Sequence, residues 1–192
     1  VYMPEEEKNG ADMVLKEGNL LTNVYNRLIR SCFYAVQKDN HGKIPENSIS
    51  QSILDLSEKT VLEYERHMYN HDFHRISYVL DDYVREVNKH WVNGVREADK
   101  NGDAKLRNQR VADCFYACKV MAVLLHPIAP DGCEMFREYM NMDKSLWNWD
   151  KILEPISAYV GDLSEHELKY LLPRVDFFKK HESQFSKEES II

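Results

Sequence analysis

The sequence predicts an all-α fold, an antiparallel bundle of four long helices with shorter helices at the C-terminal end. Four long segments repeat apolar residues at alternating spacings of three and four, which is the period of one helix face. Only seven glycines and six prolines occur among 192 residues, too few for the many turns of an all-β domain. Connections of a few to about ten residues favour antiparallel neighbours.

The first predicted helix runs roughly from Ala11 to Gln37, and Gly18 is a candidate kink within it. The loop KDNHGKIPEN follows, because Asp, Asn, Gly and Pro interrupt the helical period. The second helix begins after this loop, with Asn47 or Ser48 as its expected N-cap.

The third predicted helix begins after Asp72, its expected N-cap, and its apolar stripe ends in Trp91, where we expect a loop. The fourth follows DKNGD, places Val111 and Leu125 on one apolar stripe, and stops at HPIAP because proline ends helices. DGCEMFREYM predicts a shorter helix, and SEHELKYLLPRVDFFKKHESQF a final helix with an extended tail.

The chain begins with Val1 rather than an initiator Met, which indicates a piece of a longer protein. Residues 1–10 are expected to be a linker from a missing upstream region. Residues 11–185 form the predicted bundle domain, and residues 186–192 a flexible tail. No run of about 18 apolar residues occurs, so the sequence predicts no membrane span.

The net charge of −7 argues against indiscriminate nucleic-acid binding and against DNA as a partner. The charge is uneven, however. Residues 66–110 contain nine basic and seven acidic side chains, so this stretch is +2 and the remainder −9. A small contact with phosphate is therefore compatible with an acidic body. The cysteines Cys32, Cys114, Cys118 and Cys133 are expected to be buried free thiols in a reducing cytosol.

Two places carry candidate binding residues. On the first helix, Asn23, Arg27 and Arg30 share one face, flanked by Asn26. Amide and guanidinium groups read base edges well, although an ordinary solvated face is the alternative.

On the third helix, Trp91 either closes the core or offers a platform for stacking, with the basic Arg96 close behind it. His67, His71 and His74 have metal-ligand spacing but cross a predicted helix break, so no metal site is expected. No catalytic motif is present, and no catalytic residue is predicted.

Taken in order, these segments resemble the anticodon-binding domain of class I methionyl-tRNA synthetases. The resemblance rests on NVYNR from Asn23 to Arg27, HGKIPE, Trp91, VLLHPIAPDGCEMF and LLPRVDFF. Two departures occur: His90 stands where that family has Pro, and Asp82 stands near its usual Asn. A likeness of HDFHRISYVLDDY to isoleucyl-type synthetases leaves the amino-acid assignment open.

The resemblance implies a helical bundle that recognises the CAU anticodon of tRNA through Asn23, Arg27 and Trp91. Arg30, Asn26, His90 and Arg96 are the expected supporting RNA contacts. It also implies a cytoplasmic methionine–tRNA ligase whose missing catalytic domain, a second partner, binds ATP and methionine, with no cofactor in this chain. The competing interpretations are another class I synthetase, isoleucyl-type, or a non-enzymatic helical protein-interaction module.

Overall fold

The structure, a computed structural model, describes residues 19–179 and confirms the all-α bundle. The expected linker at residues 1–10, the kink at Gly18 and the tail at residues 186–192 lie outside this range. A π-helical turn, Leu20–Tyr25, leads directly into the first α-helix. The α-helices are α1 (Asn26–Asp39), α2 (Gln51–Tyr69), α3 (Phe73–Asn101), α4 (Ala104–Leu125), α5 (Pro130–Tyr139) and α6 (Ser157–Val160). No helix among these residues is long and apolar enough to cross a bilayer.

Helix α4 is the centre of the bundle. All fifteen residues from Val111 to Leu125 are buried, and α1, α2, α3 and α5 each pack against this helix. From Val111 to Leu125 the helix is therefore buried on all sides instead of along the single apolar stripe predicted from the sequence, as is typical of a helix enclosed by others. Each fully buried Val, Leu or Phe contributes about 1.5–3 kcal/mol to folding.

Hydrogen bonds set the register of α1 and α3 against α4. The Tyr25 hydroxyl donates to the Cys118 carbonyl over 2.8 Å, and the Tyr83 hydroxyl is 3.4 Å from the Ala117 carbonyl. Tyr25 and Tyr83 therefore lie at the same level of the bundle. Further contacts, from Asn40 to Asn108 and from His90 to Asp113, show that α1 and α3 are each antiparallel to α4. Helices α1 and α3 are consequently parallel to each other.

Helix α3 continues ten residues beyond Trp91, so the prediction that the helix ends there is wrong. Gly94 and Ala98 extend the buried stripe past Trp91, and the helix ends only where Gly102 adopts a left-handed conformation with φ 63°. The start of α3 after Asp72 is as predicted. Helix α2 begins with Ser50 as its N-cap, rather than Asn47 or Ser48.

The prediction of a final helix in the C-terminal segment is wrong for its described part. Residues 171–178, which include LLPRVDFF up to Phe178, run in an irregular extended path along α1 in the opposite direction. Gln37 accepts from the Leu171 backbone N–H over 2.8 Å, and Asn26 binds the backbone of Phe177 and Phe178. Pro173 provides no backbone donor, and side chains of α1 satisfy much of the segment's backbone.

The cysteines differ from the expectation of four free thiols. Cys32 of α1 and Cys114 of α4 form a disulfide with a Cα–Cα distance of 6.6 Å, whereas Cys118 and Cys133 are free and buried. The sulfurs of Cys32, Cys114 and Cys118 lie within 4.8 Å of one another. The sequence did not indicate this pairing, because the two bonded cysteines are 82 residues apart.

Lys119 is a fully buried cation on α4. Its Nζ donates to the carbonyls of Ile152 and Glu154 and lies 4.8 Å from the centroid of the Tyr116 ring. Burial lowers the pKa of Lys119 to about 7, although the Glu154 carboxylate opposes the change. The ammonium therefore ties the segment after α5 to the centre of the bundle.

This lowered pKa predicts a pH-dependent stability. An unfolded lysine has a pKa of about 10.4, so the unfolded chain binds more protons than the folded chain between about pH 7 and pH 10. The free energy of unfolding of the unsubstituted protein, measured relative to that of Lys119→Met, should therefore rise by about 2 kcal/mol from pH 7.5 to pH 9.5. Urea unfolding of both proteins at the two pH values measures this difference. If the stability of the two proteins changes with pH in the same way, Lys119 stays protonated in the folded state and the prediction is wrong.

Candidate nucleic-acid interface

Asn23 and Arg27 form an exposed polar pair at the beginning of the bundle. Asn23 lies in the π-helical turn and Arg27 in the first turn of α1, and both side chains are exposed. The Asn23 amide nitrogen donates to Asn19 Oδ1 over 2.8 Å, which leaves its oxygen exposed as an acceptor. Within residues 19–179, Arg27 has neither an ion pair nor a side-chain hydrogen bond. The pair therefore offers one amide and one unneutralised guanidinium to solvent.

Asn26 has a structural position rather than the expected RNA contact. Its side chain is fully buried. The amide oxygen accepts from the backbone N–H groups of Phe177 and Phe178, each over 3.0 Å, and the amide nitrogen donates to the Phe178 carbonyl over 2.7 Å. All of its strong hydrogen-bonding capacity is used inside the protein, so no polar atom of Asn26 is available to RNA in this conformation.

Arg30 is largely occupied as well. Its Nη1 lies 2.5 Å from Asp176 Oδ1, so the guanidinium is paired with the segment that runs along α1. The side chain is partly exposed. The face that the sequence presented as one Asn/Arg cluster is therefore divided. Asn26 and Arg30 hold the C-terminal segment, and Asn23 and Arg27 face solvent.

Trp91 is buried, with 7% of its surface exposed, and belongs to the main apolar core. The structure thus places it where the core alternative expected it. Tyr25 is level with Tyr83, so Trp91 lies about 9 Å further along the bundle axis than Arg27, at 1.5 Å per residue. The π-helical turn that carries Asn23 packs against α3. Trp91 and the exposed pair are therefore on neighbouring elements, but they do not share one level.

His90, next to Trp91, belongs to a buried polar cluster centred on Asp113. The Asp113 carboxylate is fully buried, lies 2.8 Å from His90 Nε2, and accepts from the hydroxyl and the backbone N–H of Ser50 over 2.7 and 2.8 Å. Arg110 Nη1 approaches the same carboxylate at 3.2 Å, and Gln109 donates over 3.1 Å. His90 is therefore a link between α3, α4 and the start of α2, instead of a free RNA contact.

The electrostatics of the cluster favour an ionised carboxylate. Burial alone would raise the pKa of Asp113, but hydrogen bonds from His90, Ser50 and Gln109 outweigh burial and lower that pKa below its usual value. The serine hydroxyl bonds to the carboxylate and not to the imidazole. This arrangement gives no activated nucleophile, because a serine nucleophile needs the histidine as its base.

Two of the five basic residues between Trp91 and Arg110 are neutralised by ion pairs. Arg107 pairs with Asp39 over 2.8 Å and with Asp99 over 2.5 Å, and Arg110 belongs to the Asp113 cluster. Arg96 is exposed and has no ion pair among residues 19–179. Of the supporting contacts expected from the sequence, Arg96 alone keeps an unpaired charge on the described surface.

Sequence reasoning missed the partners Asp113 and Asp176. Asp113 interrupts an otherwise apolar helical stretch, VADCFYAC, and a charge in that position is a signal for a buried polar network. Asp176 lies in the LLPRVDFF motif, but nothing in the sequence alone pairs it with Arg30, 146 residues earlier.

The chain is similar in sequence and in fold to methionyl-tRNA synthetases. The chain is 22% identical to methionine–tRNA ligase 1 of Alkaliphilus oremlandii (strain OhILAs) over 148 residues, which are 74% of this chain and 27% of the ligase. It also resembles the free-state crystal structure of Mycobacterium tuberculosis methionyl-tRNA synthetase. That match has a TM-score of 0.67 and 13% identity, and covers 94% of this chain and 35% of the synthetase.

Both comparisons confirm the resemblance to methionyl-tRNA synthetases that the sequence motifs indicated. The structural likeness, at 13% identity, concerns the fold. The chain spans about a quarter to a third of the length of these two proteins. No protein-family model matches the chain.

Proposed function

We propose that this chain is the tRNA-recognition domain of a methionine–tRNA ligase and that it recognises the CAU anticodon. The observation that carries the proposal is the exposed pair of Asn23 and Arg27, which stand where the resemblance puts base-reading residues. An amide supplies a donor and an acceptor, and a guanidinium supplies a planar fork of donors. Sequence-specific RNA recognition uses such groups on the edges of unstacked loop bases.

Trp91 has a narrower role in this proposal than the resemblance alone implies. At 7% exposure it supports the packing of α3, and it stacks on a base only after a local rearrangement that exposes the indole face. Asn23 and Arg27 need no such rearrangement. Arg96 supplies a phosphate contact near the end of α3. Aminoacylation with ATP and methionine, in the cytoplasm, is assigned to a catalytic domain of the same protein.

The test is a titration of a 17-nucleotide stem-loop with a CAU loop, compared with the same stem carrying GAU. We expect tighter binding of CAU, and about tenfold weaker binding of CAU to either Asn23→Ala or Arg27→Ala, because a lost polar base contact costs about 1–3 kcal/mol. Arg27→Lys should lose most of the preference because an ammonium lacks the fork. Fluorescence anisotropy of labelled RNA measures each affinity.

Lys38→Ala is the matched control, because Lys38 is exposed in the last turn of the same helix. It should weaken both loops equally and only slightly. A preference for GAU would assign the chain to an isoleucyl-type synthetase. If both loops bind with the same affinity and that affinity does not change with salt, a protein-interaction module is favoured, since binding to RNA phosphates weakens with salt.

Trp91 can be followed separately in the double variant Trp147→Phe/Trp149→Phe, which leaves one indole. A blue-shifted emission that CAU does not change would mean that Trp91 stays in the core. Quenching by CAU would mean that the loop draws the indole out to stack.

A further inference from the structure

The turn that joins α2 to α3 exposes an unusual amount of aromatic surface. We define the hairpin tip as residues 66–78, from the last turn of α2 to the second turn of α3. Within it Tyr69 is 85% exposed, Phe73 58% and Tyr78 55%. None of these three rings, which lie within ten residues, belongs to the hydrophobic core of the described residues. Clustered exposed apolar groups of this kind mark interaction surfaces.

A cleft of about 390 Å³ opens beside Tyr78, the one of these three rings that lines it. Its lining residues are His67, His74, Arg75, Tyr78, Val79 and Asp82. His67 is 9% exposed, and its buried Nδ1 has no hydrogen-bond partner, the nearest carboxylate oxygen being 3.6 Å away on Asp72. Buried polar atoms are nearly always satisfied. His67 Nδ1 therefore has an ion-pair neighbour in Asp72 but no hydrogen bond, and its position in the wall of a cleft makes it a candidate to bond a ligand group.

The charge of the tip fits an anion. Arg66, Arg75 and Asp72 are its charged residues apart from histidine, so the tip is +1 while the other residues of this −7 chain sum to −8. Neither arginine has an ion pair within residues 19–179. In the cleft lining itself Arg75 stands opposite one carboxylate, Asp82, and Arg66 lies outside the lining, so the cleft has room in charge for one anionic group only. One phosphate with its attached nucleoside matches this arrangement better than an extended acidic segment does.

The tip also lies at the same end of the bundle as Asn23 and Arg27. Helices α1 and α3 are parallel, and Tyr25 is level with Tyr83. Arg75 and Tyr78 precede Tyr83 by eight and five residues, which corresponds to about 8–12 Å along α3. A short RNA hairpin held at Asn23 and Arg27 therefore reaches the level of the cleft within a few nucleotides.

We propose that the cleft and the rings of the hairpin tip form a second RNA contact, which binds one phosphate and stacks one unpaired base of the same RNA hairpin. The inference rests on the proposed function for the identity of the RNA. Arg75 and His74 donate to the phosphate, His67 completes the cradle, and Tyr78 stacks on the base, with Tyr69 and Phe73 as neighbouring platforms. Aromatic and cationic groups together are the usual equipment for unpaired nucleotides. The contact adds affinity without reading sequence.

The test uses the 192-residue chain and the CAU and GAU stem-loops, with binding measured at several salt concentrations. Tyr78→Ala should weaken both loops about tenfold, because stacking on one ring is worth that factor. Arg75→Gln should weaken both and reduce the slope of log affinity against log salt by about 0.7. The CAU to GAU ratio should stay unchanged in both variants. Circular dichroism and Tm should match the unsubstituted chain, because both side chains are exposed.

Tyr170→Ala and Lys105→Gln are the matched controls. Tyr170 is an exposed ring beside the end of α1, and Lys105 is an exposed cation at the start of α4, both toward the opposite end of the bundle. Neither should change affinity. Tip variants that bind both loops as tightly as these controls, with the same salt slope, would overturn the proposal and assign the tip to a protein partner.

Backbone amide shifts separate the two proposals even where binding is weak. Shifts at residues 66–78 that are equal for CAU and GAU, with no loop preference at residues 19–27, would support the tip contact and refute anticodon reading. A CAU-specific response at residues 19–27 with a silent tip would refute the tip contact alone. Silence in both regions would refute both.

Discussion

Replacing Asn26 with alanine should destabilise the domain by about 4 kcal/mol. The substitution leaves the N–H groups of Phe177 and Phe178 and the Phe178 carbonyl without partners in a buried place. Each unsatisfied buried group costs about 1–3 kcal/mol. Urea unfolding followed by circular dichroism measures the loss. Asn26→Asp should also destabilise, because it buries a charge and removes the donor.

Asn23→Ala is the matched control for Asn26→Ala, since it removes the same amide three residues earlier on the exposed surface. It should change stability by no more than about 0.5 kcal/mol. The two variants thus separate structure from recognition: Asn26→Ala loses stability, whereas Asn23→Ala keeps stability and loses the anticodon preference. Equal stability of the two variants would contradict the structural role of Asn26.

Replacing Asp113 with alanine should cost a similar amount, about 4 kcal/mol, because removing one partner of a buried charged cluster is strongly destabilising. His90, Ser50 and Arg110 would lose their common acceptor where α2, α3 and α4 meet. Thermal and urea unfolding measure the effect. Asp81→Ala, which removes an Asp that pairs with Arg85 near the surface of α3, should cost only about 0.5 kcal/mol.

The same carboxylate predicts part of the acid sensitivity. The folded-state pKa of Asp113 is lowered, so its contribution to stability is present above the unfolded value of about 3.9 and is lost as the pH falls below it. Asp113→Asn should therefore flatten the decline of stability below pH 4, while lowering stability at pH 7. An unchanged acid profile in Asp113→Asn would mean that other carboxylates cause the decline.

The helices were predictable because the spacing of apolar residues by three and four can be recognised within each segment alone. The starts of α3 after Asp72 and of α4 after Asp103, and the stop of α4 at HPIAP, are where the sequence predicts them. The Asp103 side chain caps α4, whereas that of Asp72 makes no cap hydrogen bond. The length of α3 beyond Trp91 was missed because the charges that follow it resemble a loop. Gly94 and Ala98, both small, continue the buried stripe without the bulk that marks a core position.

The site was only partly predictable, because the face of α1 is divided by a segment about 150 residues away. The local sequence places Asn23, Arg27 and Arg30 on one face with Asn26 at its flank, but it does not show which of the four bind other parts of the protein. Only the return of Asp176 and Phe178 to α1 determines which of them are occupied. Pairing between such distant residues leaves no signal in the local sequence. The family resemblance singled out the LLPRVDFF motif, but it did not show which residues the motif contacts.

Residues 171–178 bind along α1, so this part of the fold can form only after the end of the region has been synthesised. Helix α1 leaves the ribosome early in synthesis of this region, but the groups that satisfy Asn26 and pair with Arg30 emerge 152 and 146 residues later. Until then α1 carries an unmet amide and an unpaired guanidinium on the face that the last segment covers. Contacts between such distant residues slow folding. Closure along α1 is therefore expected to be a late step, and in nascent chains that stop before Leu171 this face of α1 should stay uncovered, although its contacts with α4 are already complete.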